Sequence, residues 1–259
     1  MFMTAEAFRP PKDQRRIIGI EVLLVLGVSL GYSAVWSVVD LVGKLVAGGP
    51  LSAQTTSLNP SAARPPGLDL ALQLVRIVFG VVPALLGLHL LARSGRADPL
   101  GWKSRRVGHD LAGGVGIAAA IGIPGLALYA ASRALGLNTT VIPEALPMLW
   151  WTVPVLALSA IQNAFLEEVV VVGYLVDRLG DLGWRVTAIV ATSALLRGTY
   201  HLYQGFGGFA GNTVMGVVFA LFFVRFKRLP PLIAAHAILD LVAFVGYAFL
   251  RDRLGFLGI

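Results

Sequence analysis

Cysteine is missing from all 259 residues of the chain. Disulfides, thiol nucleophiles and thiolate-ligated metals are therefore excluded. Charge is scarce: Asp, Glu, Lys and Arg make up 14% of the residues, against about 25% in a soluble domain. No HExxH helix or P-loop occurs either. What fills the chain is apolar, 56% of residues with a mean hydropathy of +0.77. One soluble core of this length cannot hide so much apolar surface, which rules out a soluble enzyme. The same apolar content rules out a disordered or collagen-like chain, despite 30 glycines. The expected fold is an all-α polytopic transmembrane bundle. A formal net charge of +7 could point to nucleic acid. The arginines, however, lie between apolar stretches rather than on one face. The expected partner is the lipid bilayer, and no nucleic acid.

A helix needs about 20 apolar residues to cross the hydrocarbon core. Seven stretches qualify, with ends uncertain by several residues: 17–39, 68–91, 111–135, 146–175, 186–200, 207–226 and 232–250. An eighth span or a re-entrant piece stays open. The first stretch follows Arg9, Lys12, Arg15 and Arg16 without a small-residue cleavage site, so it reads as a retained helix. Basic clusters recur at 93–106, 178–185 and 225–228, while the connections 48–67, 136–147 and 204–208 are nearly free of lysine. By the positive-inside rule the N-terminus is cytoplasmic in a multi-pass protein of the cell membrane. Seven spans leave Arg251 and Arg253 on the wrong side.

Charges inside a bilayer usually mark function or a buried pair. Here they gather in the C-terminal half: Glu167 and Glu168 on the fourth span, Arg197 and His201 on the fifth, His236 and Asp240 on the seventh. Arg197/His201 and His236/Asp240 are i,i+4 pairs, so each pair shares a helix face. A plain account would make them polar glue between helices; an adjacent diglutamate with two histidines on separate spans favours chemistry instead. A carboxylate held out of water is an effective general base, one histidine can share its water, and a second can donate to an oxyanion. That set suffices to hydrolyse a peptide bond without a covalent intermediate. Zinc is the lesser option, because no ligand pair has HExxH spacing. Asn163, one turn before Glu167, is a supporting residue. Arg76, His89, Ser159, Ser193 and Asn212 read as packing or snorkelling groups, Asn212 also as a substrate contact. Glu21 and Asp40 lie near the ends of the first span, within reach of water.

The order of these groups resembles the CPBP family of intramembrane glutamic proteases, with its CAAX prenyl endopeptidases and bacteriocin self-immunity relatives. The family motifs EExxxR, FxxxH and HxxxN/D correspond to Glu167-Glu168 with Val172, to Arg197-Gly-Thr-Tyr-His201, and to His236-Ala-Ile-Leu-Asp240, within roughly residues 150–250. The resemblance implies a metal-independent, cofactor-free endopeptidase acting on a membrane-associated protein or peptide. In it Glu167 and His201 activate water, His236 and residue 240 form the oxyanion site, and Glu168 orients the cluster. The implied organisation is a cytoplasmic tail (1–16), N-terminal transmembrane helices (17–145), a CPBP-like catalytic core (146–250) and a short tail (251–259). Two positions depart from the pattern: valine replaces the motif arginine at 172, and arginine replaces phenylalanine at 197. An ionised Asp240 cannot donate a hydrogen bond as asparagine does, so it is expected to be protonated or to orient His236. A lost positive charge beside Glu168 is costly, so Arg197 is expected to supply it from the neighbouring helix. Two other readings stay open: a proton-coupled transporter, which also threads carboxylates and histidines through a bundle, and a non-catalytic scaffold of the same fold.

Overall fold

A computed structural model describes residues 11–96, 98, 101–102 and 106–250. Arg9, Arg105, Arg251, Arg253 and the tail 251–259 lie outside the described residues. Among the described residues the protein is a bundle of ten α-helices: α1 (Lys12–Gly27), α2 (Leu30–Val46), α3 (Pro66–Gly80), α4 (Val82–Arg93), α5 (Val107–Ala134), α6 (Thr152–Glu167), α7 (Leu175–Asp181), α8 (Val186–Thr199), α9 (Phe206–Phe226) and α10 (Pro230–Leu250). Two three-residue strands, β1 (Thr55–Ser57) and β2 (Thr140–Ile142), pair in parallel with Thr55 opposite Thr140.

The span count is lower than expected. Among the described residues five helical segments are long and apolar enough to cross a membrane: Pro66–Arg93, Val107–Ala134, Thr152–Asp181, Phe206–Phe226 and Pro230–Leu250. The pair α1–α2, bent by 53°, passes the same test only when taken together, as a broken span or a re-entrant loop. The bend has a local cause: the Ser29 hydroxyl donates to the Val25 carbonyl at 2.5 Å, while its amide turns to Leu26. A serine that competes for the helix's own carbonyls weakens the ladder where it sits. The predicted fifth span is corrected. α8 has only 14 residues, about 21 Å at 1.5 Å per residue, too short for a ~30 Å core. The chain leaves the helix at Tyr200 and makes a tight turn through Leu202–Gln204 to Gly205, whose φ of 111° suits glycine.

Two ends of the bundle are chemically distinct. At one, Arg178 pairs with Glu21 and Asp181, Arg96 with Asp177 and Asp181, Lys227 with Asp177, and Arg228 with Asp110. At the other lie β1, β2 and the Leu202–Gln204 turn, joined where Thr139 donates its amide to the Gln204 carbonyl and Phe206 donates to Leu137. The lysine-poor connections thus share one end and the basic ones the other.

The middle segment α6–α7 lies at the centre. Half of its most apolar window is buried, the largest share of the five spans. Its sequence explains this: Val169–Val172 is apolar on every side, and a helix without a polar face belongs inside a bundle. α10 packs on α5 and α6, and α8 packs on α9. The last pair comes close because Gly216 stands where a Cβ would sit 2.7 Å from Ala194 Cα.

Candidate active site

The diglutamate sits where the central span changes its winding. Glu167 ends α6, and Glu168–Tyr174 forms a π-helical stretch before α7 begins. Wider π-turns release a carbonyl from the α-ladder and recur at functional sites. Here the Ser193 hydroxyl, from α8, donates to the Val171 carbonyl at 2.9 Å. Glu168 enters the interior completely buried, whereas Glu167 keeps 13% of its side chain accessible.

Arg197 bridges the two carboxylates. Its Nη2 lies 2.6 Å from Glu168 Oε1 and its Nη1 3.4 Å from Glu167 Oε2. The guanidinium is fully buried and rests over the Phe219 ring at 5.3 Å, a cation–π contact from α9. The charge absent at Val172, itself in the core, arrives from α8. A planar fork that can serve two carboxylates suits arginine better than lysine.

His236 approaches from α10. Its Nδ1 lies 2.7 Å from Glu168 Oε1, and its Nε2 is 3.7 Å from Asp240 Oδ1 and 4.0 Å from Glu167 Oε2. Asn163 lies near Asp240. Asp240 thus lies beside His236, with 3.7 Å between the carboxylate and the ring nitrogen.

His201 stands at the edge of this group. Its Nδ1 is 2.9 Å from the Arg197 carbonyl, which can only accept, so Nδ1 carries a proton and Nε2 is the acceptor nitrogen whenever the ring is neutral. The ring packs against Tyr200 at 4.7 Å and Tyr203 at 6.3 Å, and it lies within electrostatic range of Glu167 and His236. Tyr200, which the sequence reading passed over, donates its hydroxyl to Glu167 Oε2 at 2.7 Å. Its only signal was its place beside the motif histidine. Among the described residues the hydrogen bonds to Glu167 fall on Oε2, so Oε1 is the oxygen available to a reactant.

Glu167, Glu168, Arg197, His236 and Asp240 therefore form one connected cluster from α6, the π-stretch, α8 and α10, with Asn163 and His201 beside it. Other intramembrane polar groups are elsewhere. Arg76 and His89 are exposed on the outer side of their helices. Asn212 donates to the Gly208 carbonyl of its own helix at 2.9 Å, a local contact. Glu21 pairs with Arg178, and Asp40 with Lys44.

Residues 149–242 match the family model described as type II CAAX prenyl endopeptidase Rce1-like. Neither the curated proteins nor the solved structures give a match. The matched segment spans all three motifs and every residue of the cluster. Over residues 149–242 the chain is similar to the CAAX prenyl endopeptidase family, and this likeness supports the CPBP/CAAX protease family for that segment.

Proposed function

We propose that the protein is a metal-independent intramembrane glutamic endopeptidase that hydrolyses a peptide bond in a membrane-associated protein or peptide. One observation carries the reading: Glu167 alone of the diglutamate is accessible, with Oε2 held by Tyr200 and Arg197 and, among the described residues, no hydrogen bond on Oε1. Water bound between Glu167 Oε1 and the acceptor Nε2 of a neutral His201 gives a proton to the carboxylate as its oxygen attacks the scissile carbonyl. The carbonyl π-electrons move onto oxygen. A His236 ring protonated on both nitrogens donates Nδ1–H to Glu168 and offers Nε2–H to that oxyanion. Collapse of the intermediate breaks the C–N bond, and Glu167 returns the proton to the departing amine. Arg197 argues against a metal at the diglutamate. A guanidinium already lies against both carboxylates, and a divalent cation would have to sit beside it or displace it.

Purified protein in vesicles should cleave members of a membrane-peptide library. The rate should not change with a chelator, and the Glu167→Gln protein should be inactive. Cleavage that stops on chelation and returns with added zinc would refute metal independence; no cleavage of any peptide would refute the peptidase reading.

The N-terminus faces the cytoplasm in this proposal, because basic loops resist translocation. The basic end with Arg178 and Arg228 is then cytoplasmic, and Arg105 belongs with it. A cysteine placed in residues 48–67 of this cysteine-free chain should react with an impermeant reagent from outside the cell. Labelling only from the cytoplasm would invert the topology.

A further inference from the structure

The cluster has a neighbour that the mechanism above does not use. Beside it lies a hollow of about 330 Å³ lined by Tyr32, Ser33, Trp36, Tyr200 and Tyr203. Three of these come from the first turns of α2, which pack against α8 and the Leu202–Gln204 turn. Tyr200 is a shared wall: it lines the hollow, and its hydroxyl binds Glu167. A molecule seated in the hollow is thus one side chain away from the general base.

The Tyr203 wall of the hollow is held by several contacts. Trp36 meets Tyr203 edge-on at 6.2 Å. The Tyr203 amide donates to Ser37 Oγ at 2.7 Å, and its carbonyl accepts from Lys44 Nζ at 2.6 Å and from Thr56 Oγ1 at 3.1 Å. These bonds tie the turn to α2 and to β1, so the aromatic face is preorganised. Its mouth is open, since Tyr32 and Trp36 are 65% and 51% exposed. The lining offers aromatic faces and hydroxyls without a charged side chain, a surface for an apolar group. The volume is at the lower end of ligand pockets, roughly 300–1,000 Å³. That matches one large side chain better than an extended chain.

We propose that this hollow is a specificity subsite, seating one large apolar or aromatic side chain of the substrate close to the bond that is cut. The inference rests on the peptidase reading, with Tyr200 linking the subsite to Glu167.

The test is the cleavage profile of the vesicle-reconstituted protein on peptides that vary one residue at a time around the cut bond. The wild type should prefer a large apolar residue at one fixed position. Trp36→Ala and Tyr32→Ala should lower kcat/KM for those peptides by about 10-fold or more, while peptides with a small residue there keep their rate. If Trp36→Ala loses every peptide, Ser33→Phe decides, because it fills the hollow without removing a wall. Selective loss of the large-residue peptides supports the subsite; an unchanged profile overturns it. A wild type that cleaves with no preference at any position sinks the subsite and leaves the peptidase reading intact, whereas failure to cleave any peptide removes both.

Discussion

Arg197→Leu is expected to destabilise the protein by about 3–5 kcal/mol, the cost of leaving a buried ionic partner uncompensated. The substitution strips Glu168 of its 2.6 Å contact and Glu167 of its 3.4 Å contact at once, in a site where Asp240 adds a third carboxylate near His236. It also removes the cation from the Phe219 ring. Thermal unfolding in detergent measures the loss. A loss alone would not show that Arg197 stands in for the motif arginine, since any buried arginine is costly to delete. The rescue does: Val172→Arg should be harmful in the wild type, where it buries a second guanidinium, but should recover part of the stability in the Arg197→Leu background. Arg197→Lys should fall between, because a point charge cannot fork to two carboxylates. If the double variant unfolds no later than Arg197→Leu, the displaced-charge account is wrong.

The Arg197–Glu168 contact was legible in the sequence because burying an unpaired carboxylate is expensive enough to predict its partner. Glu168 demanded a cation, Val172 could not supply one, and Arg197 was one turn from a residue already placed at the site. The i,i+4 spacing likewise put His236 and Asp240 on one face. Other features escaped for physical reasons. The π-helical stretch lies in a segment buried on every side, where four consecutive valines give no amphipathic phase from which a change of winding can be read. The break in the first span depends on one serine hydroxyl choosing a backbone carbonyl. The β1–β2 pairing joins short segments far apart in sequence, Thr55 with Thr140, which local patterning cannot report. Composition counted α8 as a span because apolar content says nothing about where a helix stops. Tyr200 was invisible for a related reason: a tyrosine in an apolar run is ordinary until its hydroxyl is seen to reach Glu167.

Glu167→Gln should lower kcat by roughly 10²–10⁴-fold, the contribution of a positioned general base, with a far smaller loss of stability than Arg197→Leu. The asymmetry follows from where the contacts lie. Glutamine keeps the shape of the side chain, and Arg197 retains its shorter bond to Glu168. Glu168→Gln should behave in the opposite sense. That carboxylate is completely buried and its Oε1 holds both Arg197 Nη2 at 2.6 Å and His236 Nδ1 at 2.7 Å, so neutralising it disturbs the pairing of α8 and α10 with the π-helical stretch. Tyr200→Phe, which removes one donor from Glu167 Oε2 and leaves the base itself, should reduce kcat less than Glu167→Gln. Paired measurements of kcat and melting temperature on the three variants separate the roles. A Glu167→Gln protein that retains activity while Glu168→Gln loses it without unfolding would exchange the two assignments, making the buried carboxylate the base and the accessible one its support.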